Sequence, residues 1–124
     1  MEEQQKSSRN FRKYQVWNDA IQLSVDVYKI TSELPYFEKK GLCDQLQRAV
    51  VSISSNIAEG SARPANQDFA HFRDIALGSS FEVESQLEIA FQVGYNTKEV
   101  YEKVLASVGS IEAQLVGMIR SIRK

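Results

Sequence analysis

Helix-breaking residues are scarce in this chain, and this scarcity constrains the fold more than any other feature. The 124 residues include two prolines, Pro35 and Pro64, and six glycines. An all-β domain of this length needs many turns, which are rich in these residues. The sequence therefore indicates a few long helices. Hydrophobic residues make up 43% and charged residues 25%, which is typical of one folded globular domain that needs no metal or disulfide.

The start of the sequence shows no targeting signal, and its first residues are acidic and polar. Residues 1–10 are polar, and we predict a flexible tail there followed by a single domain over residues 11–124. The first residues lack the apolar segment of a secretory signal. No uncharged stretch approaches the roughly 20 residues that cross a bilayer. We therefore expect a cytoplasmic protein with no membrane partner.

Apolar residues recur at three- and four-residue spacing in four segments, which predicts four helices. The first begins near Tyr14 and ends before Pro35, and the second has an apolar face centred on Ile53, which we expect to be buried. Gly60 is predicted to end the second helix, and Thr97 to cap the fourth. The fourth helix has a nearly regular heptad seam, formed by Val100, Val104, Val108, Ile111, Leu115, Met118 and Ile122. Because the connections are short, the sequence predicts an all-α, antiparallel up-down-up-down four-helix bundle.

The residue inventory argues against an enzyme. A di-iron bundle needs two Glu-x-x-His motifs, whereas this chain has one histidine, His71, and one cysteine, Cys43. The same count excludes multi-Cys/His zinc sites and an internal disulfide. A catalytic His71 needs a group that orients it, and its neighbours offer none. A helix start could activate Cys43, but a packed, inert thiol is the simpler interpretation. We expect no catalytic residues, metal or cofactor.

One face of the second helix is polar. At about 100° per residue, five residues fall within one arc away from the apolar face. This polar stripe consists of Arg48, Ser52, Ser55, Asn56 and Glu59. A solvated face would explain it. A subunit contact or a ligand groove is the alternative, because small serines allow another backbone to approach closely.

The first helix is apolar over a wider arc than one core face absorbs. Tyr14, Val16 and Trp17 lie on different sides of it. An apolar excess of this kind marks an interface. We therefore predict a homo-oligomer, with Trp17 and the polar stripe as candidate contacts.

The predicted topology gathers basic residues at one end of the bundle. The chain start, the connection between the second and third helices, and the chain end meet there. This basic end contains eight basic and four acidic residues and carries +4 in a chain of net charge −1. Cations also suit a helix C-terminus, but that explains neither the tail nor Arg63. A basic end attracts phosphates without reading bases. The candidate nucleic-acid-binding residues are Arg9, Arg12, Lys13, Arg63, Arg120 and Arg123.

The second helix also carries a motif. Arg48-Ala49, Ser52-Ile53 and Asn56-Ile57-Ala58-Glu59-Gly60, followed by Arg63, resemble the signature of the four-helix-bundle family of 23S rRNA intervening-sequence proteins. Further matching pieces cover about residues 11–123. They include Val16-Trp17, Pro35, Gly41-Leu42, Phe69 and Phe72.

The resemblance implies a four-helix bundle and a homo-oligomer, but it leaves the biochemical role open. This family is similar to the accessory variability determinant of diversity-generating retroelements. That relative forms a pentameric barrel with a basic surface, and it binds nucleic acid and a reverse transcriptase.

Two functions from different classes follow. The first is a non-enzymatic homo-oligomer, a pentamer, whose basic ends bind the backbone of RNA or DNA. The second is an oligomeric scaffold or adaptor for a protein partner, with no nucleic-acid role. Salt-dependent retention on nucleic acid separates them, because phosphate contacts release counterions.

Overall fold

The computed structural model describes residues 10–123, with side chains up to Met118. The tail predicted for residues 1–10 therefore lies almost wholly outside the described residues. Within them the chain forms four α-helices and no strand: α1 (Gln15–Ser32), α2 (Leu42–Ser61), α3 (Asn66–Val93) and α4 (Lys98–Arg123). Short 3₁₀ turns, Phe11–Lys13 and Tyr36–Glu38, precede α1 and α2. Successive helices pack side by side and α4 returns to α1, so the predicted all-α antiparallel bundle is confirmed.

The helix ends follow local chemistry. Proline disfavours a helical residue before it, and α1 ends at Ser32, shortly before Pro35. The last turn of α3 closes at Gly94, whose φ of 96° lies in the left-handed region that glycine adopts without strain. The predicted cap of α4 is confirmed, because the Thr97 hydroxyl accepts a hydrogen bond of 3.2 Å from the backbone N–H of Val100.

The core lies where the apolar spacing predicts it. Ile53, at the centre of the α2 face, is fully buried, as are Leu23 of α1 and Leu87 of α3. The α4 seam is buried from Val104 to Leu115 and partly buried at Met118, but Val100 is 39% exposed. The side chain of Ile122 lies outside the described residues. The seam thus reaches beyond the part of α4 that the other helices cover.

Gly60 differs from its predicted role. It lies inside α2, which continues to Ser61, and its backbone does not adopt a positive φ. Instead Gly60 is buried at the contact with α3, where an added Cβ would lie 2.7 Å from the Cβ of Phe72. The prediction that Gly60 ends the helix is therefore wrong, because the residue serves close packing of two helices.

The exposed apolar residues of α1 are not the predicted ones, Tyr14, Val16 and Trp17. Val16 is buried, and Tyr14 and Trp17 are partly buried against the core. Three other apolar residues on one face of α1 stay exposed by 38%, 44% and 47%, namely Ile21, Val25 and Tyr28.

Candidate nucleic-acid interface

The basic end is assembled from three separate parts of the chain. The 3₁₀ turn at its start packs against both α1 and α2. The Gln114 side chain donates a hydrogen bond of 2.8 Å to Asp19, which ties the last part of α4 to the first part of α1. The start of α1, the α2–α3 connection and the last part of α4 therefore lie together, as the topology predicts.

The guanidinium group of Arg12 packs over two aromatic rings. Its guanidinium carbon lies 5.4 Å from the ring centre of Trp17 and 5.7 Å from that of Phe11. The two rings meet edge to face at 5.0 Å. Asn18 donates a hydrogen bond of 3.0 Å to the Arg12 carbonyl, which holds the turn in place. Lys13 follows and is exposed. The charged groups at this corner face solvent while the aromatic rings hold the backbone.

Arg63 has a similar setting on the α2–α3 connection. Its guanidinium carbon lies 4.8 Å from the ring centre of Phe72. One nitrogen also forms a 3.2 Å ion pair with Glu59, in which the side chains of Arg63 and Glu59 are 44% and 57% exposed. An exposed pair of this kind is worth at most about 1 kcal/mol. Glu59 thus lowers the positive potential at Arg63 without holding the arginine firmly.

A buried arginine near this end is absent from the sequence-based set. Arg73 of α3 is 1% exposed, and its guanidinium carbon lies 3.8 Å from the Phe69 ring centre and 5.4 Å from that of Tyr14. Its position among Phe69, Ala76 and the other apolar residues of α3 is the signal that could have revealed it. Arg73 adds positive charge under the basic end but offers no surface for a ligand.

The remaining predicted basic residues lie outside the described side chains. Arg9 precedes the described residues. The α4 backbone extends to Arg123, but the side chains of Arg120 and Arg123 are beyond the described part. Their role in binding stays a prediction.

The polar stripe divides into an inner and an outer part. The hydroxyls of Ser52 and Ser79 lie 2.8 Å apart, which links α2 to α3. Asn56 donates hydrogen bonds to the carbonyl and the hydroxyl of Ser52, at 2.8 and 2.9 Å. The small residues at Ser52 and Ser79 let the two helices approach closely within one chain.

The outer part of the polar stripe faces solvent. Arg48 forms a 3.2 Å ion pair with Asp44, and Glu59 pairs with Arg63. Ser55 is exposed, and Trp17 is partly covered by Arg12. A subunit contact through Arg48, Ser55, Glu59 and Trp17 stays a prediction.

Two carboxylates meet across α3 and α4. The pKa of Glu112 is raised from 4.5 to about 7, mainly by desolvation and further by its hydrogen bond to Glu84 and the charge of Glu84. Nearby, Tyr101 donates a short hydrogen bond to Glu88, which lowers the pKa of Glu88 and raises that of Tyr101. The sequence could not reveal these pairs, because they depend on the register between two helices.

The single histidine and cysteine do not form a site. His71 is exposed and meets the ring edge of Phe72 at 5.5 Å. Cys43 is buried, and burial raises the pKa of its thiol, with a smaller effect from Glu38. Among residues 10–118, no group of three or more histidines, cysteines or carboxylates is placed to hold a metal ion. In the same range no helix is long and apolar enough to cross a membrane.

Comparison with known proteins identifies the family. The family model described as "23S rRNA-intervening sequence protein" matches residues 12–117. The chain therefore belongs to this family, and the resemblance seen in α2 is confirmed.

One solved structure similar to this chain comes from Bacteroides thetaiotaomicron and is described as a protein of unknown function from the S23 ribosomal protein family. It is 27% identical, with a TM-score of 0.78, over 84% of this chain and 97% of that one. A search of curated proteins finds no match.

Proposed function

We propose that this chain is a cytoplasmic, non-enzymatic homo-oligomer, a pentamer, that binds the phosphate backbone of RNA or DNA through its basic end. The observation that carries the proposal is the setting of Arg12 and Arg63, each with its guanidinium group over an aromatic ring at the same end of the bundle.

An arginine on a ring is well prepared for phosphate. The ring fixes the plane of the guanidinium group, so that the N–H donors at its edge can point toward an anion. Lys13, next to Arg12 in sequence and exposed, adds another cation. Contacts of this type follow the backbone and carry no base sequence. We therefore expect sequence-tolerant binding.

Oligomerisation would amplify this charge. Several basic ends aligned on one rim produce a local potential far above that suggested by a net charge of −1 per chain. The family name refers to an intervening sequence of 23S rRNA, so RNA is the first nucleic acid to test.

The test is fluorescence anisotropy with short RNA and duplex DNA at two salt concentrations. The Arg12→Glu/Lys13→Glu/Arg63→Glu variant should lose binding. All three side chains are exposed, so the fold and melting temperature should be retained. Wild-type affinity should fall steeply with salt, by about one unit of log–log slope for each phosphate contact.

The control carries charge reversals at the other end of the bundle and is compared with the Arg12→Glu/Arg63→Glu double variant, which should also lose binding. Lys40 and Lys98 are exposed there, and their double change to Glu should leave binding nearly intact. Light scattering on every variant separates loss of binding from loss of assembly. Equal losses in both variants would contradict the basic-end proposal, and no wild-type binding at low salt would end the nucleic-acid proposal.

A protein scaffold is the second candidate function. The exposed residues Ile21, Val25 and Tyr28 favour it, because an apolar face of a helix suits a protein partner better than phosphate. Wild-type protein that is oligomeric but binds no nucleic acid at low salt would support this alternative. A clean monomer at micromolar concentration would contradict the homo-oligomer in both candidate functions.

A further inference from the structure

Two aromatic side chains project from the bundle at the end opposite the basic end. Tyr36 is 84% exposed and Phe37 is 77% exposed, both in the 3₁₀ turn between α1 and α2. We call this pair the aromatic knob. Its turn is anchored, because Glu38 accepts a 2.8 Å hydrogen bond from the Tyr95 hydroxyl and a 3.3 Å bond from the backbone N–H of Leu42. The knob is therefore presented on a fixed support.

The same end also contains an unfilled apolar cleft. It lies between the last turns of α1 and the first turns of α4 and has a volume of about 260 Å³. Ile30, Val100 and Val104 provide its apolar surface. Val100 belongs to the α4 seam, yet it stays 39% exposed here. The heptad pattern of α4 thus provides an apolar position that no residue within the described range covers fully.

We propose that the aromatic knob of one copy docks into the α1–α4 cleft of the next copy. This inference rests on the proposed homo-oligomer and names the contact that joins its subunits.

The chemistry of the cleft matches the knob. The side-chain nitrogen of Asn96, in the cleft lining, is buried and has no hydrogen-bond acceptor in the described part of the chain. The hydroxyl oxygen of Tyr36 can accept from this nitrogen while the ring covers Val100. The cleft lining also contains two carboxylates, Asp26 and Glu33, with which Lys39 beside the knob can pair.

Other cations in the cleft lining also suit an aromatic occupant. Lys29 and Lys103 lie there, and neither forms an ion pair with another described residue. An ammonium group over an aromatic ring is attractive by about 0.5–1 kcal/mol at exposed sites. The volume is also slightly below the roughly 300 Å³ at which pockets for small organic ligands begin. A side chain of a second copy therefore fits better than a free cofactor.

The placement of knob and cleft fits a closed ring. Tyr36 borders the groove between α1 and α2, whereas the cleft lies between α1 and α4. Neighbouring sides of a four-helix bundle face about 90° apart, and a head-to-tail contact at about that angle closes a ring of roughly four or five subunits. The knob and the cleft are also at the same end of the bundle. They therefore lie at the same height along the ring axis when all subunits are parallel.

The experiment uses two full-length variants, one without the knob and one with a blocked cleft. Tyr36→Ser/Phe37→Ser removes the knob, and Val100→Arg fills the cleft with a long side chain. Each should keep the wild-type circular dichroism spectrum, because all three residues are exposed. In light scattering, each alone should be a monomer at concentrations where the wild type is a ring. Mixed together, they retain one intact knob and one intact cleft, and should form a 1:1 dimer that grows no further.

Phe81→Ser provides the matched control, since Phe81 is 53% exposed on α3. It should leave the ring intact. A knob variant that assembles like the wild type would overturn the inference while leaving the homo-oligomer standing. The inference would also be overturned if the cleft variant dissociates and the knob variant stays assembled. In that case another segment or a small ligand would occupy the cleft. A wild-type monomer would end the homo-oligomer itself.

Discussion

Replacing Gly60 by alanine tests a close contact between α2 and α3. An added Cβ would lie 2.7 Å from the Cβ of Phe72, and 3.4 and 3.5 Å from the carbonyl oxygen and a ring carbon of Phe69. The Cβ of Phe72 cannot move without its backbone, so α2 and α3 must separate locally. Overpacking of this kind costs about 1–3 kcal/mol. Alanine recovers up to about 1 kcal/mol of helix propensity over glycine.

The net expectation for Gly60→Ala is a loss of about 1–2 kcal/mol of unfolding free energy. For a chain of this size that lowers the melting temperature by about 4–10 °C. Urea and thermal melts followed by circular dichroism measure both quantities, at one fixed protein concentration because assembly shifts the apparent stability.

The same substitution at two other helical glycines is the control. A Cβ on Gly78 or Gly109 meets nothing within 4 Å. Alanine there should stabilise the protein by about 0.5–1 kcal/mol. The sign of the effect should therefore reverse between Gly60 and the two controls. A Gly60→Ala protein as stable as the wild type would refute the close contact between α2 and α3.

Three further predictions concern the core and the charged pairs. Ile53→Asp should unfold the domain, because an unpaired charge in a fully buried site costs several kcal/mol. This cost is comparable to the total stability of a domain. An unchanged melting curve would contradict the assigned core. Glu112 has a folded-state pKa of about 7 against an ordinary value of 4.5, so wild-type stability should fall as pH rises from about 4.5 to above 7. Because Glu112 is partly exposed, the loss should be about 1–2 kcal/mol, and Glu112→Gln should remove it in melts at pH 5 and pH 8. Tyr101→Phe should raise the pKa of Glu88, detectable by NMR titration, because the hydroxyl that stabilises its carboxylate is lost.

The fold could be predicted from the sequence because helix formation and burial are local properties of the pattern. The spacing around Ile53 defines a single apolar face, Pro35 marks the end of α1, and Thr97 caps α4. The short connections then leave an antiparallel arrangement. None of these steps requires knowledge of how one helix is rotated against another.

The candidate site could be predicted only in part, because its details depend on that rotation. The sequence placed Arg12 and Arg63 at one end, but not the rings beneath them. It did not reveal Arg73, a charged residue among apolar ones, or the contact of Glu112 with Glu84. The predicted role of Gly60 was wrong, because a glycine near a helix end can either end the helix or allow a neighbouring helix to pack closely against it.

The family signature in α2 is explained mainly by packing within one chain. Asn56 binds back to Ser52, Ile57 is fully buried, and Gly60 allows α3 to approach. Each of these requirements fixes a residue type without any ligand. The motif is therefore a strong predictor of the bundle and a weak predictor of what the bundle binds.

Arg63, just after the signature, is different. It is exposed, and Phe72, the residue that Gly60 packs against, carries its guanidinium group. The tight α2–α3 contact thus fixes the ring, and the ring orients the guanidinium group of Arg63, which can meet a phosphate. This coupling predicts that Gly60→Ala weakens RNA binding through Arg63, and that the effect disappears when Arg63 is already Glu. Additive losses in that double-mutant cycle would show that packing and binding are independent.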